Sequence, residues 1–255
     1  MDQIAIRECI SIDELDSCIR LQREVFGLPD LEISPRRHLI VSRQAGGWTL
    51  GAFVAQNDDE RLVGFVHHLA AVRGEEIFGY SHMMAVAQKY QNKGVGARLK
   101  WSQRKRAIEE GRSFIKWTWD PMQARNGHFN LNRLGVTVTT YAENFYGTDY
   151  PGTQSELPGI DSDRLFANWQ LQSSRVMELA NGSVSRVPAN PEAAIQIPAE
   201  WSKLMKQNPA EAKQEQLRVR QEFQNAFAAG LVCAGFERSE SPQYLLYKAE
   251  AIQPF

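Results

Sequence analysis

Apolar and polar positions group along this chain into short segments of changing period. Residues 4–10 alternate as a strand does. Ser11-Ile12-Asp13-Glu14 then has the form of a capping box, with Ser11 as N-cap and Glu14 reaching back. The helix it opens carries Ile12, Leu15, Ile19 and Phe26 on one side and stops near Gly27-Leu28-Pro29. Residues 29–47 are mixed, and their Arg36-Arg37-His38 cluster reads as a solvated turn, with an acceptor-binding role as the competing reading. Residues 48–55 and 62–72 read as two strands about the polar loop Asn57-Asp58-Asp59-Glu60. On a strand His67 and His68 point to opposite faces, so at most one of them faces a cleft.

Residues 80–111 organise the rest. An apolar run over 80–87 suits a buried strand, residues 88–93 are polar, and Gly94-Val95-Gly96 opens a run of helix formers that ends at Gly111. Strand, glycine-bearing loop and helix together aim backbone N–H groups and a helix dipole at one point, which suits a phosphate. The dinucleotide fingerprint fails because Leu99 stands where its third glycine belongs, and the P-loop fails for want of Gly-Lys-Ser/Thr. What fits is Gln-x-x-Gly-x-Gly, here Gln91-Asn92-Lys93-Gly94-Val95-Gly96, after the strand end Ala85-Val86. This resembles the acyl-coenzyme A loop of the GNAT acetyltransferase superfamily; the competing reading is a purely structural glycine turn.

After Gly111 come a strand over 114–119 closed by Asp120-Pro121, a short helix over 122–134 stopped by Gly135, and strand-like residues 136–146. The order of elements matches the GNAT topology, so the resemblance covers roughly residues 4–147. It implies an α+β fold: a mixed, mostly antiparallel sheet flanked by helices, with an α/β C-terminal extension. The expected division is 1–147, the acyl-CoA-binding domain, and 148–255, an extension packed on it.

In the extension, residues 148–159 read as a loop, 165–171 as a strand, 181–191 as irregular and 194–197 as a short apolar run. Asn208-Pro209 begins a long helix with apolar contacts from Leu217, Phe223 and Phe227, ended by Gly230. Residues 231–236 and 244–248 are strands about Ser241-Pro242. The pattern is open to reading as a degenerate second GNAT-like half, without the glycine loop. The whole chain, including Asn144-Phe145-Tyr146-Gly147 and Asp163-Arg164-Leu165, is similar to a little-characterised bacterial group of GNAT proteins with such an extension, a match that identifies no substrate.

Composition narrows the field. Hydrophobic residues at 43% and charged residues at 23% describe an ordinary globular chain, and a net charge of −1 argues against a general nucleic-acid binder. Cys9, Cys18 and Cys233 are odd in number and widely spaced, as reduced buried thiols would be, and no metal set is expected. With no signal-like or membrane-length run, the expected location is the cytoplasm, with no membrane partner. Arg98, Lys100, Arg104, Lys105 and Arg106 read as a solvated basic face, and Trp101, Trp117 and Trp119 as core.

Acyl transfer from a thioester to an amine needs a base, a stabilised oxyanion and a departing thiolate. The resemblance implies that the backbone of Met84, Ala85 and Val86 holds the carbonyl. It implies that Gln91, Asn92, Lys93, Gly94, Val95, Gly96 and Ala97 wrap the pyrophosphate, with Asn126 also on the coenzyme side. Strict alternation puts Tyr80, His82 and Met84 on one face and Ser81, Met83 and Ala85 on the other. Some GNAT enzymes place a base on this strand at the positions of His82 and Tyr80. A histidine, ordinarily near ~6.5, titrates where such a base is useful, so His82 is the expected base. The family's acidic tyrosine is replaced by Leu131, which can move no proton. Either Tyr141 or Tyr146 takes its place, or the thiolate leaves unassisted, or the protein binds coenzyme A without turnover. The expected activity is acyl transfer from acetyl-CoA, or another short acyl-CoA, to an amine by direct attack. A small-molecule or amino-acid acceptor is expected first, a protein acceptor second, and no nucleic acid. The competing reading is a coenzyme A-binding regulatory or interaction protein.

Overall fold

The computed structural model describes residues 4–56, 59–148, 159–184 and 187–252. The chain divides into two compact units, Met1–Lys116 and Trp117–Phe255. The architecture is α+β: mixed, mostly antiparallel pairing flanked by helices, with a further three-stranded sheet near the C-terminus.

In the first unit, β1 (Ile4–Glu8) leads through the Ser11/Glu14 capping box into α1 (Ile12–Phe26), which stops on Gly27 at φ 61°. The segment expected as a solvated turn instead forms α2 (Arg36–Gln44). Pro35 is extended and forces a clean start, and Leu39 and Ser42 are the buried positions of this short helix. Two buried residues in nine leave almost no apolar period to read. Strands β2 (Trp48–Gln56), β3 (Asp59–Arg73) and β4 (Glu76–Val86) form an antiparallel meander on β1. Then α3 (Val95–Glu109) leads to β5 (Phe114–Trp119), which crosses the boundary between the units.

Two cores line the two faces of this sheet. One gathers Cys9, Leu15, Cys18, Leu21, Leu39, Phe53, Phe65 and Ala85 beneath α1 and α2. The other gathers Trp48, Leu50, Ala52, Val54, Val63, Val66, Val95 and Leu99 beneath α3. Cys9 and Cys18 are free thiols with sulfurs 3.9 Å apart, and Cys233, in the second unit, is free and buried too.

In the second unit, Asp120 ties the turn after β5 by accepting from the Met122 backbone N–H (2.9 Å). Helix α4 (Ala124–His128) widens into a single π turn, Phe129–Arg133, and Gly135 at φ 75° ends it. The strand expected over 136–146 reduces to β6 (Tyr141–Ala142), preceded by single bridges from Thr137 to Asn168 and from Val138 to Cys233. β6 pairs antiparallel with β7 (Arg164–Gln170). Helices α5 (Ser174–Ala180) and α6 (Trp201–Gln207) were not expected; each is only two turns long. Between them lies β8 (Ala193–Gln196), the expected short apolar run. Helix α7 (Pro209–Ala228) starts on Asn208, whose side chain accepts from the Glu211 N–H, with Pro209 in its first turn. Phe223 is fully buried with the Phe227 ring 5.5 Å away, whereas Leu217 is 44% exposed. Strands β9 (Leu231–Glu237) and β10 (Gln243–Lys248) complete a sheet ordered β8-β10-β9. Most of the loop expected over 148–159 lies outside the described residues.

Residues on either side of that loop share one core. The Trp169 indole donates to the Leu134 carbonyl (2.7 Å), the Trp119 indole to the Tyr244 hydroxyl (3.2 Å), and that hydroxyl to the Pro121 carbonyl (2.8 Å). Gly127 lies so close to Phe236 and Tyr244 that a Cβ there would come within 2.8 Å of the Phe236 ring. The expected boundary at 147/148 thus falls inside a compact unit, and the division remains a statement about where the acetyltransferase pattern ends.

Candidate active site

Strand β4 is where the chain departs from regularity. Its pairing with β3 runs His67–Met83 and then His68–Ser81, so His82 is an extra residue, a β-bulge. The bulge breaks the alternation assumed for residues 80–85. Ser81 and Met84 face the α3 side, where Ser81 Oγ meets Lys100 and Met84 packs on the Val66–Leu99 core. His82, Met83 and Ala85 face the side of α1 and α2. Met84 is therefore not on the face of His82, contrary to the expectation from period two.

Past the bulge, β4 has an open edge. Its parallel pairing with β5 consists of Gly79–Ile115 and Tyr80–Lys116, and among the described residues no strand pairs Ser81–Val86 on that side. The Ala87 N–H donates to Val63 of β3, so by alternation the N–H groups of Val86 and Met84 point to the open edge. The Gln91 side chain confirms this polarity, donating from Nε2 to the Val86 carbonyl at 3.0 Å.

Gln91 thereby clamps the loop to the strand. Asn92 (φ 60°) and Gly94 (φ 80°) both take left-handed backbone, and Gly94 caps α3 without a side-chain bond. The first helical bond is made by the Arg98 N–H to Gly94, leaving the N–H groups of Val95, Gly96 and Ala97 without an intrahelical partner. Gly96 is helical, and the place of its missing Cβ lies 3.5 Å from Met84 Cε and 4.0 Å from Val86. A Cβ there would make only ordinary contact, whereas a larger side chain would press on Met84 and Val86. Lys93 and Asn92 are exposed.

His82 does not stand alone. Its Nε2 is 3.2 Å from Ser34 Oγ, and its ring centroid lies 5.5 Å from that of His38 and 6.1 Å from that of His67. His67 is buried, held by Thr49 Oγ1 at Nδ1 (2.8 Å) and Ser42 Oγ at Nε2 (3.1 Å). Burial, then the nearby His82 and His38, push its pKa down to about 3. Desolvation, then His38, push His82 down to about 4; water on its open side screens part of that depression. His82 is thus a neutral but weaker base than an isolated imidazole. The sequence singles out His38 in its basic cluster and His67 as one of two histidines of which at most one faces a cleft, but it gives no sign of Ser34 or of helix α2, which brings His38 to His82. Tyr80 is half-buried on β4 opposite Leu69.

On the other face, one member of the supposedly solvated basic helix face is buried. Lys100 is 2% exposed, donating to Ser81 Oγ (2.9 Å) and Gln103 Oε1 (3.0 Å), and burial drives its pKa well below the usual lysine value. Gln103 joins it to His68, which stacks on Trp48 at 4.1 Å, and Gly79 leaves the space that the His68 ring fills. His68 is pushed to about 3 by burial and by Arg112 and Lys100. Arg106 pairs with Glu8 and Glu110, and Arg98 donates to the Ile4 carbonyl.

In the second unit, Leu131 is fully buried. Tyr141 donates to Asp163 Oδ2 (2.6 Å), and its pKa is raised by burial and by that carboxylate. Tyr146 is 45% exposed with the Arg164 guanidinium 5.0 Å from its ring, and Asn126 is exposed on α4. Trp117 and Trp119 are core as expected, whereas Trp101 is only half-buried. No group of three or more His, Cys, Asp or Glu among the described residues is placed to hold a metal ion. No described helix is long and apolar enough to cross a membrane.

A bulged strand with an open edge thus runs into a glycine loop and a helix N-terminus. The model of the acetyltransferase (GNAT) family matches residues 15–129, so this stretch carries a GNAT acetyltransferase domain. Solved structures of similar fold include the Escherichia coli ribosomal-protein-S18-alanine N-acetyltransferase, at 15% identity and TM-score 0.51, covering 66% of this chain and 94% of that one. Arabidopsis thaliana NAA60 in complex with acetyl-CoA is similar at 14% identity and TM-score 0.52, over 66% and 98% of the two chains. An Acinetobacter baylyi putative acetyltransferase matches at 15% identity and TM-score 0.52, over 67% and 93%. No curated protein sequence matches this chain.

Proposed function

We propose that this acetyltransferase moves an acetyl or other short acyl group from coenzyme A to a small amine or amino acid by direct attack in a ternary complex. The observation that carries the reading is the open edge of β4, with the Met84 and Val86 N–H groups turned outward, running directly into the free amides of Val95, Gly96 and Ala97. A thioester carbonyl beside the first set and a pyrophosphate on the second would occupy the two ends of one coenzyme. Lys93, with Asn92 and Gly94, flanks the pyrophosphate. His82 accepts the amine proton, with Tyr80 as the alternative base on the same strand. Tyr141 is committed to Asp163.

The relatives support amine acceptors in general. One is named for acetylating the alanine of a ribosomal protein, and the NatC complex is seen with a Gag peptide and CoA. A second reading, coenzyme binding without turnover, is favoured by one observation, the buried Leu131 at the family's tyrosine position. Calorimetric titration of acetyl-CoA combined with thiol release across an amine panel separates them. Binding with release supports transfer; binding without release from any amine supports the second reading; no binding overturns both.

A further inference from the structure

The bulge that turns His82 toward Ser34 leaves one residue of β4 outside the ladder, and regular pairing competes with it. The register pairs on its two sides are His68–Ser81 and His67–Met83. Regular pairing carried on from His68–Ser81 would turn Met83 onto the α3 face and Met84 off it, out of the apolar cores in which they now pack. Regular pairing carried back from His67–Met83 would set His82 opposite His68, on the α3 face, and take Ser81 from that place. Only this second alternative withdraws the imidazole from Ser34 and His38, and the packing of Met83 and Met84 does not oppose it.

What opposes it is a buried polar circuit. Lys100 Nζ donates to Ser81 Oγ (2.9 Å) and to Gln103 Oε1 (3.0 Å). Since Gln103 Oε1 accepts, its Nε2 donates to His68 Nδ1 (3.3 Å), on a ring stacked against Trp48. Ser81 and His68 are partners across the ladder, so four residues close a circuit that ties α3 to both strands at one register pair. Burial holds Lys100 well below the usual lysine range, and an uncharged amine has two hydrogens, one for each acceptor. On the opposite face His67 secures the other pair. Ser42 Oγ gives its proton to the Leu39 carbonyl (3.0 Å), so His67 Nε2 donates to Ser42 and its Nδ1 accepts from Thr49 (2.8 Å).

We propose that Lys100 is a positioning residue for His82: by holding Ser81 opposite His68 it keeps the bulge at residue 82 and the imidazole on the face of Ser34 and His38. The inference rests on the reading of His82 as the base of acyl transfer.

The test uses the full-length protein and four variants: Lys100→Met, Ser81→Ala, the two combined, and Ser81→Thr, which retains the hydroxyl. Ser81→Ala leaves the buried lysine its bond to Gln103, so it probes the contact even where Lys100→Met folds poorly. In histidine-labelled protein, the nuclear Overhauser contact between the His82 and His38 rings should be present in wild type and Ser81→Thr. It should be lost in Lys100→Met and in Ser81→Ala. With acetyl-CoA and the amine that wild type uses best, those two variants should lose about ten- to a hundred-fold in kcat, the cost of a misplaced base. Their KM for acetyl-CoA should stay within about two-fold. Because both substitutions break one bond, the double variant should fall no further than the worse single one. Wild-type kcat in both single variants, a fall in kcat with the ring contact intact, or losses that multiply in the double variant would each overturn the proposal. A ring contact that depends on Lys100, in a protein that releases thiol with no amine, would mean that the transfer reading fails while the positioning role stands.

Discussion

The imidazole of His82 lies 3.2 Å from the hydroxyl of Ser34, a contact between the extra residue of a strand bulge and the residue that precedes Pro35 at the start of α2. It fixes the direction of the ring, while burial, and then the nearby His38, favour the neutral imidazole. A base must be neutral to act, and His82, held below its ordinary value, stays neutral further into acid. The acid limb of kcat/KM should therefore fall below ~6.5, the ordinary histidine value. His82→Gln should remove that limb and lower turnover by on the order of a hundred- to ten-thousand-fold, with acetyl-CoA affinity nearly unchanged. The same acid limb in both proteins, measured with a low-pKa acceptor amine, would show that His82 is not the base.

Gly94 and Gly96 should answer differently to mutation. At Gly94 the backbone is left-handed with nothing within 4 Å of a Cβ, so Gly94→Ala costs about 1–2 kcal/mol through conformation alone. At Gly96 a Cβ fits against Met84, and alanine suits a helix, so Gly96→Ala should be neutral or stabilising by up to ~1 kcal/mol. Gly96→Val overfills that contact and pushes the free amides of α3 away from β4, so it should weaken acetyl-CoA binding in a protein that still folds. Denaturant melts with coenzyme titrations check all three; unchanged affinity in Gly96→Val would sink the loop assignment.

His67 and His68, both held near 3 in the fold against ~6.5 unfolded, bind fewer protons in the folded state between those values. Their contribution to stability should therefore be complete above pH ~6.5 and erode as the pH falls toward 3. Lys100 acts in the same sense at higher pH, since its amine is depressed below 10.5, and stability should keep rising with pH toward that value. Lys100→Met should flatten the alkaline part of the profile and leave the acid part intact. Urea midpoints across the pH range decide it, and an unaltered alkaline slope would contradict a buried neutral lysine.

The C-terminal elements should not fold alone. Tyr244 gives its hydroxyl to the Pro121 carbonyl and receives the Trp119 indole, and the Trp169 indole needs the Leu134 carbonyl. A 160–255 fragment lacks all three partners and should melt without cooperativity. In the whole chain Tyr244→Phe should cost about 1–3 kcal/mol by orphaning two buried polar groups. A cooperative melt of the fragment would show that this core is dispensable.

Where a signal is local, it was legible in the amino-acid sequence. The Ser11/Glu14 capping box, the Gly27 stop, the Asn208-Pro209 helix start and the Gln91–Gly96 loop each depend on neighbours within a few residues, and all stand where the pattern puts them. The order of strands about that loop, and with it the family, followed from the same local signs. What the tertiary structure alone decided depends on distant partners. A bulge needs a register between two strands, so the alternation read over residues 80–85 carried no trace of the extra residue at His82. Lys100 shares its helix with solvated arginines and is buried because Ser81 and Gln103 are there to receive its amine. Helix α2 owes its place to Pro35 and to packing of Leu39, too little apolar surface to leave a period in nine residues. Only that helix brings His38 to His82, because proximity across 44 residues is a property of packing and not of spacing along the chain.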